Sequence, residues 1–255
     1  MAAADRRPSL AAVAPWLSIP LFLAGWQCIS ALDLVNAALF PAPTAVLAAL
    51  VDYFRHGEGF SDLLWSLGRV SIGYLSGATA GVVVGLITGT RPFVSGLLTP
   101  VFQLLRPIPP IAFVPVVIVW FGLTEWGKWF LVFWGVFFAV WLATHLGVQR
   151  VGDTLLRAAR SLGASPRQLL FSVQLPAALP VIFVGLRTAV GISFYTLVAA
   201  ELAGAFAGIA YRLEISQQNF QMGHMMAGLV VLGVISALSD RLFQKVSQRI
   251  VHWSQ

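Results

Sequence analysis

Four charged side chains fall within or near long apolar stretches of this 255-residue sequence: Arg69, Arg106, Arg187 and Glu201. Charge is costly in hydrocarbon and usually faces a bundle interior or a watery cavity, so these are the first positions to ask about chemistry on a solute. Arg106 precedes Pro107-Ile108-Pro109-Pro110, a run that breaks a helix, and is placed either to meet an anion or to fix the broken backbone. Arg187 can pair within a bundle or bond carbonyls that the break sets free. Glu201, at the end of the same apolar stretch, reads as a structural partner or a gate. Arg69 lies near the start of its stretch and can snorkel to the interface. Arg106, Pro107, Pro109, Pro110, Arg187 and Glu201 are thus the expected lining of a path.

Other chemistries lack their residues. Gly122-Leu123-Thr124-Glu125-Trp126-Gly127-Lys128 fits the first seven positions of a phosphate-binding loop, but Trp129 stands where the magnesium-binding hydroxyl belongs. His56, His145, His224 and His252 show no metal-ligand spacing. There is no nucleophile elbow and no pair of catalytic carboxylates. Cys28 is the sole cysteine, which excludes an internal disulfide or a cysteine metal cluster. An enzyme is not expected, nor a metal or cofactor bound by this chain.

The elements that must position these charges are membrane spans. The sequence is 58% hydrophobic and 10% charged, against about 25% charged in a soluble domain. Residues 11–32, 70–90, 93–121 (with the break), 126–148, 177–200 and 222–238 are each long enough to cross a bilayer. The expected fold is all-α, a polytopic membrane protein with about six spans. Arg6 and Arg7 before the first apolar run resemble a signal peptide, but the run continues without a clear cleavage site, so a retained span is expected. Gly73, Gly77, Gly81, Gly85 and Gly89 repeat every four residues, a stripe on which another helix can approach closely. Between the first two spans a turn at Pro41 and Pro43 leads to a short outer-surface helix over 45–54, capped by Thr44. A polar segment, 211–221, precedes the last span. The expected layout is a tail over 1–10, one transmembrane domain over 11–250 and a tail over 251–255.

Charge orients the spans. Arg6, Arg7, Arg91, Arg150, Arg157, Arg160, Arg167, Arg241, Lys245 and Arg249 fall on one side, against Asp5, Asp153 and Asp240. The other side holds Asp33, Asp52, Glu58, Asp62, Glu125 and Glu214 against Arg55, Lys128 and Arg212. The basic excess marks the cytoplasmic side, where both termini then lie. The net charge of +6 follows this topology and does not form a nucleic-acid-binding face.

One cytoplasmic loop, 150–176, is more structured than a connection requires. Residues 154–162 place Leu155, Ala158, Ala159 and Leu162 at helical spacing with Arg157 and Arg160 opposite, an amphipathic helix too short to span. Gly163 can supply the left-handed residue that ends it. Ser165, Pro166 and Gln168 read as N-cap, first-turn proline and capping-box partner of a second short helix that ends at Leu175-Pro176. Such a capped pair suits a mechanical contact.

Arg157-Ala158-Ala159, Gly163 and Val173-Gln174-Leu175-Pro176 together resemble the EAA loop of ABC-importer permeases. Phe40-Pro41-Ala42-Pro43, the Arg106–Pro110 run, Pro176-Ala177-Ala178-Leu179-Pro180 and Gly185-Leu186-Arg187 resemble the nitrate/sulfonate/taurine class of those permeases, and the similarity covers roughly residues 40–250. Arg157 stands where the loop usually has Glu. The resemblance implies a type I permease fold in a bacterial inner membrane. It also implies a homodimer, two ATP-binding cassette subunits that use ATP and Mg, and an extracytoplasmic solute-binding protein. Arg157, Ala158, Ala159, Arg160, Leu162, Gly163, Leu175 and Pro176 would meet the ATPase, and the solute would be a small anion such as a sulfonate, taurine or nitrate. An ion-gradient-driven secondary transporter is the alternative; it explains a broken span and buried charge but not the capped double helix.

Overall fold

The computed structural model describes residues 10–32 and 34–251, with side chains from Leu17 onward. The expectations placed on residues 1–9, on Asp33 and on residues 252–255, His252 included, lie outside the described residues. Every regular element among the described residues is a helix: α1 (Leu10–Ala31), α2 (Pro43–Arg55), α3 (Gly59–Thr90), α4 (Pro92–Leu105), a 3-10 turn (Pro110–Phe113), α5 (Val114–Phe121), α6 (Glu125–Gln149), α7 (Asp153–Ser161), α8 (Pro166–Gln168), a π-helical turn (Leu169–Gln174), α9 (Leu175–Leu202), α10 (Ile209–Gln218) and α11 (Met222–Ile250).

Four helical stretches are long and apolar enough to cross a membrane: α3, α6, the continuous 37-residue helix Pro166–Leu202, and α11. Helix α4 and the segment Pro110–Phe121 add a fifth only if a pair bent by 87° counts as one span. A count of six further requires α1, which is 22 residues long, to cross.

The chain forms two compact units, Met1–Gly59 with Leu213–Val230, and Phe60–Arg212 with Val231–Gln255. In the first, Trp26 of α1 packs on Phe40, in the turn that precedes α2, with ring centroids 5.5 Å apart. Helix α2 starts two residues before the position the sequence suggests, at Pro43 and not residue 45. Pro43 is in its first turn and Ala42 takes the extended N-cap conformation without a side-chain cap. Thr44 therefore does not cap: proline's fixed φ already suits the first helical position, and the Thr44 N–H reaches Gln27 Oε1 at 3.4 Å instead. Asp52 bonds His56 and His224, each at 3.2 Å. The His224 bond, then the His56 bond, hold the Asp52 carboxyl below its ordinary value of 3.8. This link is kept at neutral and mildly acid pH, and is lost only as pH falls through that lowered value.

The second unit is built on close approach of α3 and α6. Gly73, Gly77, Gly81, Gly85 and Gly89 face Val132, Val136, Val140, Thr144 and Val148, a second stripe with the same four-residue period. A Cβ added at Gly85 would stand 2.5 Å from that of Thr144. Lipid tails give apolar faces no reason to leave them, so such packing supplies much of the association. Val132, Val136, Val140, Ala189 and Leu197 are wholly buried in the resulting core of α3, α6 and α9. Gly81→Leu places its Cβ 2.9 Å from Phe137 O and Val140 Cβ. It should cost about 1–3 kcal/mol and lower the unfolding temperature in detergent, whereas Gly96→Ala, which meets open space, should not.

The 150–176 loop departs from expectation at its end. The second helix does not stop at Leu175-Pro176 but widens into a π-helical turn and continues into α9. Pro176 lacks an N–H and its ring crowds the carbonyl four residues back; a wider turn just before it accommodates both defects without ending the helix.

Candidate functional site

Helix α4 ends where its donors run out. Arg106 N–H still bonds Phe102 O at 2.9 Å and Ile108 N–H bonds Leu105 O at 3.1 Å, but Pro107, Pro109 and Pro110 have no N–H to give. Pro109 is extended, with φ −61° and ψ 136°, and the chain turns by 87°. Beside the turn lies a cleft of about 230 Å³ lined by Arg106, Pro110, Trp134, Phe138, Ile192 and Tyr195 among others. Arg106 is exposed and its guanidinium has no acceptor among the described residues. Pro107 and Pro109 shape the bend without lining the cleft.

Arg187 and Glu201 are not brought to this cleft. Arg187 forks onto Asp240 of α11, Nε to Oδ1 at 2.8 Å and Nη2 to Oδ2 at 2.7 Å, so of its two expected partners the one within the bundle is realised. Glu201 is fully buried in a separate ionic cluster. Its Oε1 accepts from Ser66 Oγ at 2.7 Å and Arg69 Nη1 at 2.9 Å, and its Oε2 from Ala210 N–H at 2.8 Å. Arg69 also forks onto Glu125 at 2.7 and 2.8 Å and donates to Ala207 O. Arg69 thus does not snorkel: it is 2% exposed, because two carboxylates and a carbonyl replace the water it gives up.

The same cluster closes one end of α10. Gly208 N–H donates to Asp62 Oδ1 at 2.8 Å and Ile209 N–H to Ser66 Oγ at 2.9 Å. Two carboxylates at a helix N-terminus satisfy its orphan donors and complement its dipole. Gly208 has φ +127°, and a Cβ there would fall 2.4 Å from Glu201 Oε1, so only glycine lets the carboxylate reach the helix. Arg212 bonds Asp62 at 2.9 Å, and Lys128 bonds Glu125 at 2.9 Å. Three cations, Arg69, Lys128 and Arg212, therefore balance Glu125, Glu201 and Asp62. The phosphate-loop lookalike ends here as well, its lysine amine held by Glu125. Sequence reasoning placed Asp62, Glu125, Lys128 and Arg212 as outer-surface charges and passed over Ser66. The available signal was the Asp62, Ser66, Arg69 spacing, four and then three residues, which aligns all three on one face of α3.

In the loop, α7 ends as expected at Gly163, whose φ is +81°. Gly163 N–H bonds Arg160 O at 2.9 Å and Ala164 N–H bonds Ala159 O at 3.1 Å, the paired bonds of a Schellman turn. Ser165 and Gln168 form the reciprocal capping box, with Ser165 N–H on Gln168 Oε1 at 2.8 Å. Leu156 packs inward against Val148 and Val151. Leu155 and Leu162 stay open, at 50% and 89% exposure, with Arg157, Ala158 and Arg160 also exposed. Leu175 and Pro176 lie on the helix that leads from this turn into the bundle.

Long apolar helices, a broken helix beside a cleft with an unpaired cation, and a capped amphipathic helix between two spans define a membrane transport subunit. The chain belongs to the family of binding-protein-dependent transport system inner membrane components, matched over residues 81–252, and is accordingly a multi-pass permease subunit of an ABC importer. It is 34% identical over 242 residues to the taurine transport system permease protein of Escherichia coli (strain K12), covering 92% of this chain and 88% of the relative. It is 29% identical over 236 residues to the bicarbonate transport system permease protein of Synechocystis sp. (strain ATCC 27184 / PCC 6803 / Kazusa), covering 89% and 84%. The fold is shared with the MetNI methionine ABC transporter in its inward-facing conformations, at a TM-score of 0.58 and 22% identity over 75% of this chain and 94% of that one. This membership favours an ATP-driven importer over a gradient-driven secondary transporter.

Proposed function

We propose that this permease forms the path for a small solute that carries an oxyanion group, such as a sulfonate, taurine or nitrate. The observation that carries the proposal is Arg106, a cation beside the broken helix with no acceptor among the described residues, in a chain whose relatives include permeases named for taurine and for bicarbonate. Both solutes present an oxyanion to a transporter.

In this reading residues 11–250 act as one permease domain, with the basic loops and both termini cytoplasmic. Two copies face each other across the path. A separate pair of ATP-binding cassette subunits, using ATP and Mg, grips the exposed face of α7, where Leu155, Leu162 and the turn at Gly163 offer an apolar knob flanked by Arg157 and Arg160. Arg157 then supplies a cationic contact where the loop usually supplies Glu. Closure of the ATPases is passed through Pro166–Leu202, one unbroken helix from the turn to the bundle, and switches the path from outward- to inward-open. A solute-binding protein delivers the anion at the outer face. This chain itself holds no ATPase site.

The test is ATP hydrolysis by the reconstituted complex with binding proteins loaded with taurine, an alkanesulfonate, nitrate or bicarbonate. Stimulation by one loaded protein supports the reading and identifies the solute; a stably bound ATPase that none of them stimulates discards the anion. Arg106→Gln should lower anion uptake about tenfold or more, the size of a lost hydrogen bond to a charged group, and leave ATPase assembly unchanged. Equal loss of both would make Arg106 a structural residue.

A further inference from the structure

We infer that the outward ridge of α11 over its last turns, where Arg241, Lys245 and Arg249 run beside Leu238, Leu242 and Val246, is a binding surface for an anionic glycerophospholipid. It is a contact with the bilayer and independent of the solute carried.

Register fixes the depth. Helices α9 and α11 run antiparallel: Arg187 forks onto Asp240, Phe183 meets Phe243 with ring centroids 6.0 Å apart, and Pro180 shares a cleft with Gln248 and Val251. Residues 178–181 in turn stand at the ends of two spans, because Gly147 packs on Ala178 and Val181 while Gly89 packs on Val148, and α3 ends at Thr90. Arg249 is therefore level with the end of the bundle that carries the 150–176 loop. Lys245 and Arg241 lie one and two turns further in, about 6 and 12 Å along the helix.

Charge fixes the headgroup. The acidic residue of α11, Asp240, is held by Arg187, and those of α3 and α9, Asp62 and Glu201, lie at the far end of the bundle. Arg241, Lys245 and Arg249 are exposed and have no acceptor among the described residues. Snorkelling returns Arg249 to water, but Arg241 lies deeper than an extended arginine side chain can reach from. A phospholipid supplies acceptors at both levels: phosphate oxygens for Arg249 and Lys245, and ester carbonyl oxygens below them for Arg241. Three cations favour a headgroup with net negative charge, whereas a zwitterionic one brings its own cation to the same place. A soluble partner cannot enter hydrocarbon to reach Arg241, and a second copy laid on this ridge about a two-fold axis brings cations against cations.

Packing fixes the tails. Each cation stands three residues after an exposed apolar side chain, Leu238, Leu242 or Val246, which are 58%, 66% and 45% exposed, so the two rows share one face. Leu242 and Val246 also border a groove of about 340 Å³ between α3, α9 and α11, with Leu67, Tyr74, Leu75 and Phe194 among its walls. Tyr74 and Ser193 turn their hydroxyls inward, to Leu186 O at 3.0 Å and Val190 O at 2.6 Å. An apolar channel thus lies beside a cationic row, which matches a lipid with acyl chains and one charged end.

The test is native mass spectrometry of the full chain in detergent, titrated with dioleoyl phosphatidylglycerol or with phosphatidylcholine of the same tails. Phosphatidylglycerol should bind about tenfold tighter or more, the size of one hydrogen bond to a charged group. Arg241→Gln with Lys245→Gln and Arg249→Gln should bring its affinity down to that of phosphatidylcholine. If that triple variant does not fold, Lys245→Gln alone reads the same contact, with an expected loss of about fivefold. Arg157→Gln with Arg160→Gln and Arg167→Gln, which removes the same charge from the loop, should keep the preference. Glycerophosphoglycerol, the same headgroup without tails, should not displace the lipid. Equal binding of the two lipids, a preference that survives the α11 substitutions, or an equal loss in the loop variant overturns the site. Displacement by glycerophosphoglycerol makes it a site for free phosphate esters and overturns the lipid.

Discussion

Arg69→Ala is expected to destabilise the bundle by about 3–5 kcal/mol, the usual cost of removing one partner from a buried ion pair. The loss falls mainly on Glu201. That carboxylate is fully buried and keeps its bonds from Ser66 and Ala210, but among the described residues no other cation bonds it once the 2.9 Å contact to Arg69 is gone. Glu125 loses a two-pronged bond and retains only Lys128. A fall in the unfolding temperature on the order of 10 °C should be seen in detergent, with lower yield of folded protein. A double variant, Arg69→Met with Glu201→Leu, should recover much of the loss, because apolar residues of similar size remove the stranded charge along with its partner. If Arg69→Ala melts with wild type, the cluster does not stabilise the fold. If the double variant is stable yet cannot transport, Glu201 serves as more than a structural partner.

Gly163→Pro is expected to abolish uptake while leaving membrane insertion intact. The turn holds Gly163 at φ +81°, far from the value near −65° that a proline ring imposes. Proline also removes the N–H that bonds Arg160 O. Backbone strain and a lost hydrogen bond together amount to about 3 kcal/mol, roughly a hundredfold fewer molecules with α7 correctly set against the capped helix that follows. Gly163→Ala should be much milder, because nothing stands within 4 Å of its Cβ and only the positive φ is unfavourable. Solute uptake per ATP hydrolysed is the measurement. Wild-type uptake in Gly163→Pro would show that this turn does not transmit the ATPase stroke.

What could be read in the sequence follows the distance over which each feature is decided. The turn between α7 and α8 was legible residue by residue, because Gly163, Ser165, Pro166 and Gln168 satisfy one another within a few positions. The helix break at Arg106–Pro110 was equally legible, since prolines lack donors whatever surrounds them. The glycine stripe announced a close helix neighbour. Local reasoning failed only where two local signals competed, as at α2, where Pro43 starts the helix that Thr44 seemed to cap, and at Pro176, where a π-helical turn carries the chain past a proline that looked like an end.

The fates of the charges were decided elsewhere. Arg69 finds its acceptors 56 and 132 residues away, and Asp62 meets Gly208 across 146. Burial or snorkelling of a charge depends on whether an opposite charge arrives at the same depth, which only the packing of α3, α6 and α9 determines. The sequence by itself determined the helical class, the glycine turn and capping box of the 150–176 loop, the break at Arg106–Pro110 and the apolar faces, because those depend on backbone geometry and nearest neighbours. Tertiary structure alone decided that Arg69 and Glu201 lock together while Arg106, beside an aromatic cleft, meets no acceptor among the described residues, because pairing of charges in a low dielectric depends on distance in space and not on position in the chain.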